Sequence, residues 1–175
     1  MRLKKLMTGF IILMTINLSA QDVISFEKVI KTDSIGKALL FSKIHEWFAT
    51  TYNSANDVIQ MVDKDAGIII GKGSMKYFYG KHSSYNGNIN YTIKVYVKDN
   101  RYKVILSNFK HSGLGFDLGL ITSAKIYATK GMYKKYHNKA WDDIKLKIEQ
   151  YSNGIFNSLE NKTKNNNDIK IGDDW

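Results

Sequence analysis

Four histidines are the residues of this chain with the widest range of chemistry, because an imidazole can act as a general base or bind a metal ion. They are His45, His82, His111 and His137. No two stand at the i, i+4 spacing by which a helix presents two imidazoles to one metal. The spacing favours solvated histidines over metal ligands.

Serines lie beside two of these histidines: Ser83 and Ser84 follow His82, and Ser112 follows His111. A serine nucleophile needs a histidine that accepts its proton and a sharp glycine-flanked turn that exposes its hydroxyl. That glycine pattern is missing here. Adjacency along the chain does not make a catalytic triad.

Glycine motifs and acidic pairs give no better case for an enzyme. Gly71-Lys72-Gly73 lacks the four-residue spacing and the Lys-Ser or Lys-Thr of a phosphate-binding loop. Asp63 and Asp65 are typical of a turn, and Asp142 and Asp143 of a helix start. We therefore predict no enzymatic activity, no catalytic residue, no metal and no cofactor.

Composition excludes further classes of protein. The 175 residues include no cysteine and no proline, so disulfides, thiol nucleophiles and cysteine-bound zinc or iron–sulfur clusters are ruled out. With 43% hydrophobic residues, the chain can bury the core of one domain. The net charge of +10 is concentrated at residues 71–110 and 124–147, which suits an anionic or acidic partner.

Residues 1–20 have the layout of a secretory signal peptide: a basic start, an apolar run at 6–16 and a small residue, Ala20, before the cut. The run is too short to span a bilayer, which takes about 20 residues. We expect cleavage after Ala20 and export to the periplasm or cell envelope, or secretion. The alternative is an uncleaved anchor, and we expect membrane contact only in that case. Nucleic acid ranks last among the partners of an exported protein.

Apolar periodicity predicts the elements that position these residues. A strand at 25–31 precedes a helix that is capped by Asp33 or Ser34 and has apolar residues at three- and four-residue steps. A hairpin then joins 58–62 to 68–70.

The second hairpin is the clearest element of the sequence. Odd positions of 89–98 are apolar and even positions are mostly polar. An Asp99-Asn100 turn leads into 101–109 and sets a register that pairs Val95 with Val104.

The remainder contains one long helix. Residues 111–123 are glycine-rich and predict a loop, 125–130 predict a weak further strand, and 138–159 predict an amphipathic helix. Residues 161–175 are polar and predict a disordered tail. A single domain would then span 21–160.

This order, β-α-β-β-β-β-α, predicts an α+β domain in which an antiparallel sheet carries both helices on one face. Three of the segments that resemble a known family are Phe26-Glu27-Lys28-Val29-Ile30, Glu46-Trp47-Phe48-Ala49 and Tyr91-Thr92-Ile93-Lys94-Val95. The helix with Trp141 and the Asp-Asp-Trp ending are similar too. They resemble a bacterial exported domain family of unknown function with a TBP-like fold, named after the TATA-box-binding protein. The match covers about residues 24–112. It implies fold and export, but neither chemistry nor DNA binding.

The face of the second hairpin that points away from the core is the candidate binding surface. Its cations alternate with aromatic and apolar side chains: Lys94, Tyr96, Lys98, Arg101, Lys103, Ile105 and Phe109. Such a surface suits an anionic envelope polymer or a protein partner, through charge and ring stacking. The alternative is a solvated sheet face whose lysines prevent aggregation.

A second hypothesis places a small hydrophobic ligand or lipid between the C-terminal helix and the sheet. Trp47, Phe48, Trp141 and Tyr151 would line its cavity. The same side chains would also fill an ordinary core. The sequence indicates no oligomeric state.

Overall fold

The computed structural model describes residues 23–52, 54–81 and 83–164. The elements are β1 (Phe26–Lys31), α1 (Lys37–Thr51), α2 (Ala55–Val58), β2 (Ile59–Asp63), β3 (Ile68–Tyr77), β4 (Gly87–Lys98), β5 (Arg101–Gly113), β6 (Gly119–Leu120) and α3 (Lys134–Lys164). The predicted signal peptide, the Asp-Asp-Trp ending and most of the predicted tail lie outside the described residues.

The strands form one antiparallel sheet in the order β1-β5-β4-β3-β2, and β6 pairs with the end of β5. Helices α1 and α3 pack against each other and on the same face of the sheet, α1 on β4 and α3 on β1 and β5. The predicted α+β class and helix-on-one-face arrangement are confirmed. No described element covers the opposite face, which we call the outer face. Within the described residues no helix is long and apolar enough to cross a membrane.

The β4–β5 hairpin has the predicted register, with Val95 opposite Val104 and Lys98 opposite Arg101. Asn100 in its two-residue turn adopts a φ of 59°, a conformation that asparagine tolerates better than most residues. The hairpin therefore forms as its alternation and turn chemistry indicate.

A bulge interrupts this pairing near the end of β5. Thr92 pairs with Ser107 but Asn90 pairs with Lys110. Two residues of β5, Asn108 and Phe109, therefore stand opposite the single residue Tyr91 of β4. Asn108 has a φ of 57°, as the first residue of such a bulge requires. The extra residue reverses the alternation, and Phe109 points into the core with 0% exposure. The prediction that Phe109 lies on the outer face is wrong.

The first helix is capped by a residue that is remote in sequence. Gly36 holds the N-cap position and makes no side-chain cap bond. The Lys37 backbone N–H instead donates to Asp99 Oδ1 at 2.7 Å, from the β4–β5 turn. The Asn100 N–H donates to Ile35 O at 3.0 Å, which holds the turn and the helix start together. The predicted caps, Asp33 and Ser34, lie outside the helix.

The last helix is longer than its apolar pattern indicates. It begins at Lys134, so Asp142 and Asp143 lie beyond its first turn rather than within it. It continues to Lys164 because Thr163 is buried and its hydroxyl lies 3.0 Å from that of Tyr102. The helix therefore continues for four residues beyond the predicted domain end at residue 160.

Residues 125–130 form no strand, contrary to the prediction. They lie along α3, where the Tyr127 N–H donates to Asn138 Oδ1 at 3.0 Å. The Trp141 indole N–H donates to Ala124 O at 2.8 Å. These side-chain bonds satisfy backbone groups that a strand partner would otherwise have to satisfy.

Candidate binding surface on the outer sheet face

Two adjacent rows of side chains cross the outer face from β1 to β2. One row is Glu27, Ile105, Lys94, Ile70 and Met61, and the next is Val29, Lys103, Tyr96, Ile68 and Asp63. Strands β1, β5, β4 and β2 each contribute one charged residue and one apolar or aromatic residue, and β3 contributes two isoleucines. The outer face is therefore a band in which charge and apolar surface alternate over five strands.

A depression of about 410 Å³ lies on this band, at the end nearest the β4–β5 turn. Its lining residues are Val29, Tyr96, Lys98, Arg101, Tyr102 and Lys103. The sheet thus brings together four of the seven predicted surface residues around one concavity. We call it the turn-end depression.

Positive charge is concentrated beside the depression. Lys31, Arg101 and Lys98 are direct neighbours across β1, β5 and β4. Like charges that face each other across strands repel. Within the described part of the chain, none of these three cations has an ion-pair partner, whereas Lys103 pairs with Glu27 at 2.8 Å. An anion bound here would relieve the repulsion.

The other predicted surface residues lie elsewhere. Lys94 and Ile105 are half-buried neighbours in the row farther from the turn, and Phe109 lies beneath the sheet. Sequence reasoning missed Val29, which is 55% exposed and lines the depression from β1. Val29 alternates with the buried Ile30, which indicates that Val29 faces outward. The sequence does not show that β5 lies beside β1.

The predicted cavity-lining residues fill the core instead. Trp47, Phe48 and Trp141 are at most 3% accessible to a water-sized sphere, so no void that admits a ligand borders them. Trp47 donates its indole N–H to Ser158 Oγ at 2.9 Å. Trp141 contacts a different aromatic group, with its ring centroid 5.2 Å from that of Tyr127. These three side chains are therefore packed as core residues in this structure, and the ligand-binding hypothesis stays a prediction.

Tyr151 belongs to a chain of three hydroxyls inside the helix–sheet layer. The hydroxyl of Tyr91 lies 3.0 Å from that of Tyr52, the C-cap residue of α1, and 3.0 Å from that of Tyr151 on α3. Burial raises the pKa of Tyr52 to about 12 and raises the pKa of Tyr91 as well. The raised pKa values keep the hydroxyls of Tyr52 and Tyr91 neutral near pH 7, and the chain of three hydroxyls ties both helices to β4.

Two histidines are buried and bonded, which corrects the expectation that they are solvated. The Leu118 N–H donates to His111 Nδ1 at 3.1 Å, so Nε2 carries the proton and donates to Tyr85 O at 2.8 Å. Burial lowers the pKa of His111, which favours this neutral form. His137 Nδ1 lies 2.9 Å from the Tyr85 hydroxyl.

His111 is therefore not available as a base for the neighbouring Ser112, which points to the outer face. His45 is exposed, and His82 lies outside the described residues. In the described ranges, no group of three or more His, Cys, Asp or Glu side chains could hold a metal ion.

The fold and this surface can now be compared with known proteins. Residues 26–112 match a family model described as a domain of unknown function (DUF4468) with TBP-like fold. This segment is similar to DUF4468 domains. The predicted family resemblance is confirmed, and no catalytic activity is named for the family.

Two solved structures are similar to this chain. A DUF4468 family protein from Bacteroides ovatus has a TM-score of 0.60 and 15% identity, covering 81% of this chain and 86% of that one. A TBP-like protein from Parabacteroides distasonis has a TM-score of 0.54 and 14% identity, covering 79% and 94%. At such identity the likeness establishes the fold alone. A comparison with curated proteins finds no match.

Proposed function

We propose that this protein is a non-catalytic binding module of the bacterial cell envelope that holds an anionic polymer on its outer face. One observation carries the proposal: the turn-end depression combines an exposed tyrosine ring with cations that lack ion-pair partners among the described residues. The leader-like residues 1–20 support an exported location.

The chemistry of the depression suits an acidic sugar. Tyr96 and Val29 offer apolar surface on which a sugar ring can pack. Arg101 can bind a carboxylate or phosphate through two parallel N–H bonds, and Lys98 supplies a point charge next to it.

The shape of the outer face suits a polymer. Five strands about 4.8 Å apart give the alternating band a width of roughly 20 Å, which accommodates several sugar residues. Weak contacts repeated along such a chain add up, since each additional contact is made within one bound molecule.

The hydrogen bonding of the buried histidine and tyrosine side chains supports binding rather than catalysis. Burial lowers the pKa of His111 and favours its neutral form, and both of its ring nitrogens bond backbone groups. The tyrosine hydroxyls of the interior bond one another. None of them borders the turn-end depression.

The test is calorimetric titration of the protein with polygalacturonate, a soluble polymer of acidic sugars, over a range of salt concentrations. We expect saturable binding that weakens as salt rises, because the contacts are between charges. The double variant Lys98→Glu/Arg101→Glu should bind at least tenfold more weakly. The matched control, Lys72→Glu/Lys76→Glu, makes the same charge change at the far end of the outer face and should change binding less than threefold.

Two results would overturn the proposal. One is negligible binding by the wild-type protein at low salt. The other is an equal loss in both double variants, which would mean that the polymer responds to net charge and not to the depression.

A further inference from the structure

The end of the molecule opposite the β4–β5 turn exposes a second set of apolar side chains. They are Leu114, Phe116, Met132, Tyr133 and Tyr136, which we call the apolar tip. Leu114 and Met132 are each 86% exposed. The ring centroids of Phe116 and Tyr133 lie 6.3 Å apart, so the β5–β6 loop and the start of α3 meet there.

The exposure of Leu114 is fixed by its backbone. The Leu114 N–H donates to Asn86 O at 2.7 Å, and the N–H groups of Gly115 and Phe116 both donate to Ser84 O at 2.9 Å. The loop is thus bonded at consecutive residues while its leucine side chain points into water. Because the loop is already rigid, burying this leucine side chain against another surface costs little further conformational entropy.

Contacts beneath the apolar tip hold Phe116 and the turn that carries Met132 and Tyr133. The ring of Phe116 packs edge-on against His137, with centroids 5.2 Å apart, and stacks on Tyr85 at 5.5 Å. The His137 backbone N–H donates to Tyr133 O at 3.0 Å. Met132 and Tyr133 therefore project from a fixed turn.

The surroundings of the tip are strongly cationic. Residues 118–141 contain no aspartate or glutamate and five lysines: Lys125, Lys130, Lys134, Lys135 and Lys139. Within the described ranges none of the five has an ion-pair partner. Two carboxylates lie nearby: Asp117, which accepts the Gly113 N–H at 2.6 Å, and Asp142, which borders the same groove as Met132 and pairs with Lys145 at 3.4 Å.

From this geometry we propose that the apolar tip docks on the surface of an anionic lipid bilayer. Leucine and methionine side chains at the ends of loops can enter the acyl boundary, and tyrosine rings sit at the headgroup level. Lysines around them reach lipid phosphates along their apolar stems. Charge complementarity identifies the anionic lipid as the occupant.

A protein partner fits the tip less well. The core of a protein interface is a packed patch depleted of charge. Here the two most exposed apolar side chains protrude singly, and lysines lie beside one of them, Met132.

The tip is independent of the turn-end depression. Strand β4 runs from Gly87, at the tip end, to Lys98, beside the depression. At about 3.3 Å per residue this separation exceeds roughly 30 Å. A protein docked by its tip would present the depression away from the bilayer. This proposal departs from the expectation that the protein contacts a membrane only through an uncleaved leader, because the apolar tip would bind lipid whether or not residues 1–20 remain attached.

Single cysteines offer a direct test, because the full chain contains none. Leu114→Cys and Met132→Cys would each carry a thiol-linked fluorophore whose emission rises and shifts to the blue in apolar surroundings. The matched control is Leu146→Cys, an exposed leucine on α3 outside the tip. We expect both tip labels to respond to vesicles that contain phosphatidylglycerol but not to phosphatidylcholine alone, and the control label to respond to neither. A local label reports the tip even if another segment of the chain also binds lipid.

The charge requirement is tested in the same assay. Lys134→Gln/Lys135→Gln should reduce the partition coefficient of the Met132→Cys label about thirtyfold at low salt. Lys98→Glu/Arg101→Glu should leave the tip labels responsive, which separates this proposal from the polymer-binding one. Three results would overturn it: tip labels that respond no more than the control, no effect of the Lys134/Lys135 change, or a response that follows protein concentration without vesicles, which would indicate a second copy of the chain.

Discussion

The ring of Tyr91 lies directly over the Cα atom of Gly73 on the neighbouring strand. The two residues are paired across β4 and β3, and a Cβ atom at Gly73 would collide with the ring carbon and hydroxyl oxygen of Tyr91. The glycine is needed for space rather than for a positive φ. The hydroxyl that it accommodates links β4 to Tyr52 at the C-cap of α1 and to Tyr151 on α3.

We therefore expect Gly73→Ala to lower the free energy of unfolding by about 3 kcal/mol, from overpacking and weakened hydroxyl bonds. The matched control is Gly154→Ala. This glycine is exposed in α3 and has no neighbouring atom within 4 Å of an added Cβ. It should stabilise the protein by about 1 kcal/mol. Urea unfolding followed by circular dichroism measures both, and a Gly73→Ala protein as stable as the wild type would contradict the steric account.

The cap of α1 predicts a long-range effect of a turn residue. Asp99→Ala removes the carboxylate that accepts the Lys37 N–H and should cost about 1 kcal/mol. Asp33→Ala, at the cap that the sequence favours, should cost less than about 0.5 kcal/mol, as usual for surface substitutions. Equal losses in urea unfolding would show that Asp99 does not act as the cap.

Buried tyrosines predict a loss of stability at alkaline pH. Burial raises the pKa of both Tyr52 and Tyr102 to about 12. In the unfolded chain these hydroxyls ionise near pH 10. The folded state therefore retains protons that the unfolded state loses, and the stabilising contribution present below pH 10 falls as pH rises towards 12.

Urea unfolding at a series of pH values from 8 to about 12 checks this loss. Tyr102→Phe should reduce the slope, since the phenyl ring keeps the packing and cannot ionise. An unchanged slope would mean that Tyr102 does not contribute to the alkaline loss.

Glu160 predicts the corresponding effect in acid. Hydrogen bonds from Lys164 and Lys28 lower its pKa to about 2, from an ordinary value of 4.5. The stabilisation is present above pH 4.5 and is lost as pH falls towards 2. Glu160→Gln should cost less than about 1 kcal/mol at pH 7, as is usual for exposed ion pairs, and should flatten the acid dependence.

The control for Glu160 is Glu149→Gln on the same helix. Glu149 is exposed and, within the described residues, has no ion-pair partner. Its replacement should leave the pH profile of unfolding unchanged. Identical profiles for both variants would contradict the assignment of the acid dependence to Glu160.

Local patterns predicted the parts of the fold that local chemistry determines. The β4–β5 register followed from alternation and an Asp99-Asn100 turn because these features lie within a few residues of each other. The bulge at Asn108 depends on a single residue adopting a positive φ, which the alternation does not reveal. That one residue moved Phe109 from the predicted surface into the core.

Remote contacts explain the rest of what the sequence did not reveal. Val29 borders the depression because β1 pairs with β5, a topological choice that no short pattern encodes. The exposed position of Leu114 depends on backbone acceptors at Ser84 and Asn86. By contrast, Tyr96, Lys98, Arg101 and Lys103 were predictable as a group because they flank one tight turn.

The strand order also constrains how the chain reaches this structure. Strand β1 is formed by the first described residues, yet its partner is β5, and Phe26 pairs with Leu106. Lys28 on the same strand is then bound by Glu160 near the end of α3. The first strand therefore has no partner until most of the chain has been synthesised. Such distant pairings slow folding, so a nascent N-terminal fragment stays open and the sheet closes late, in one cooperative step.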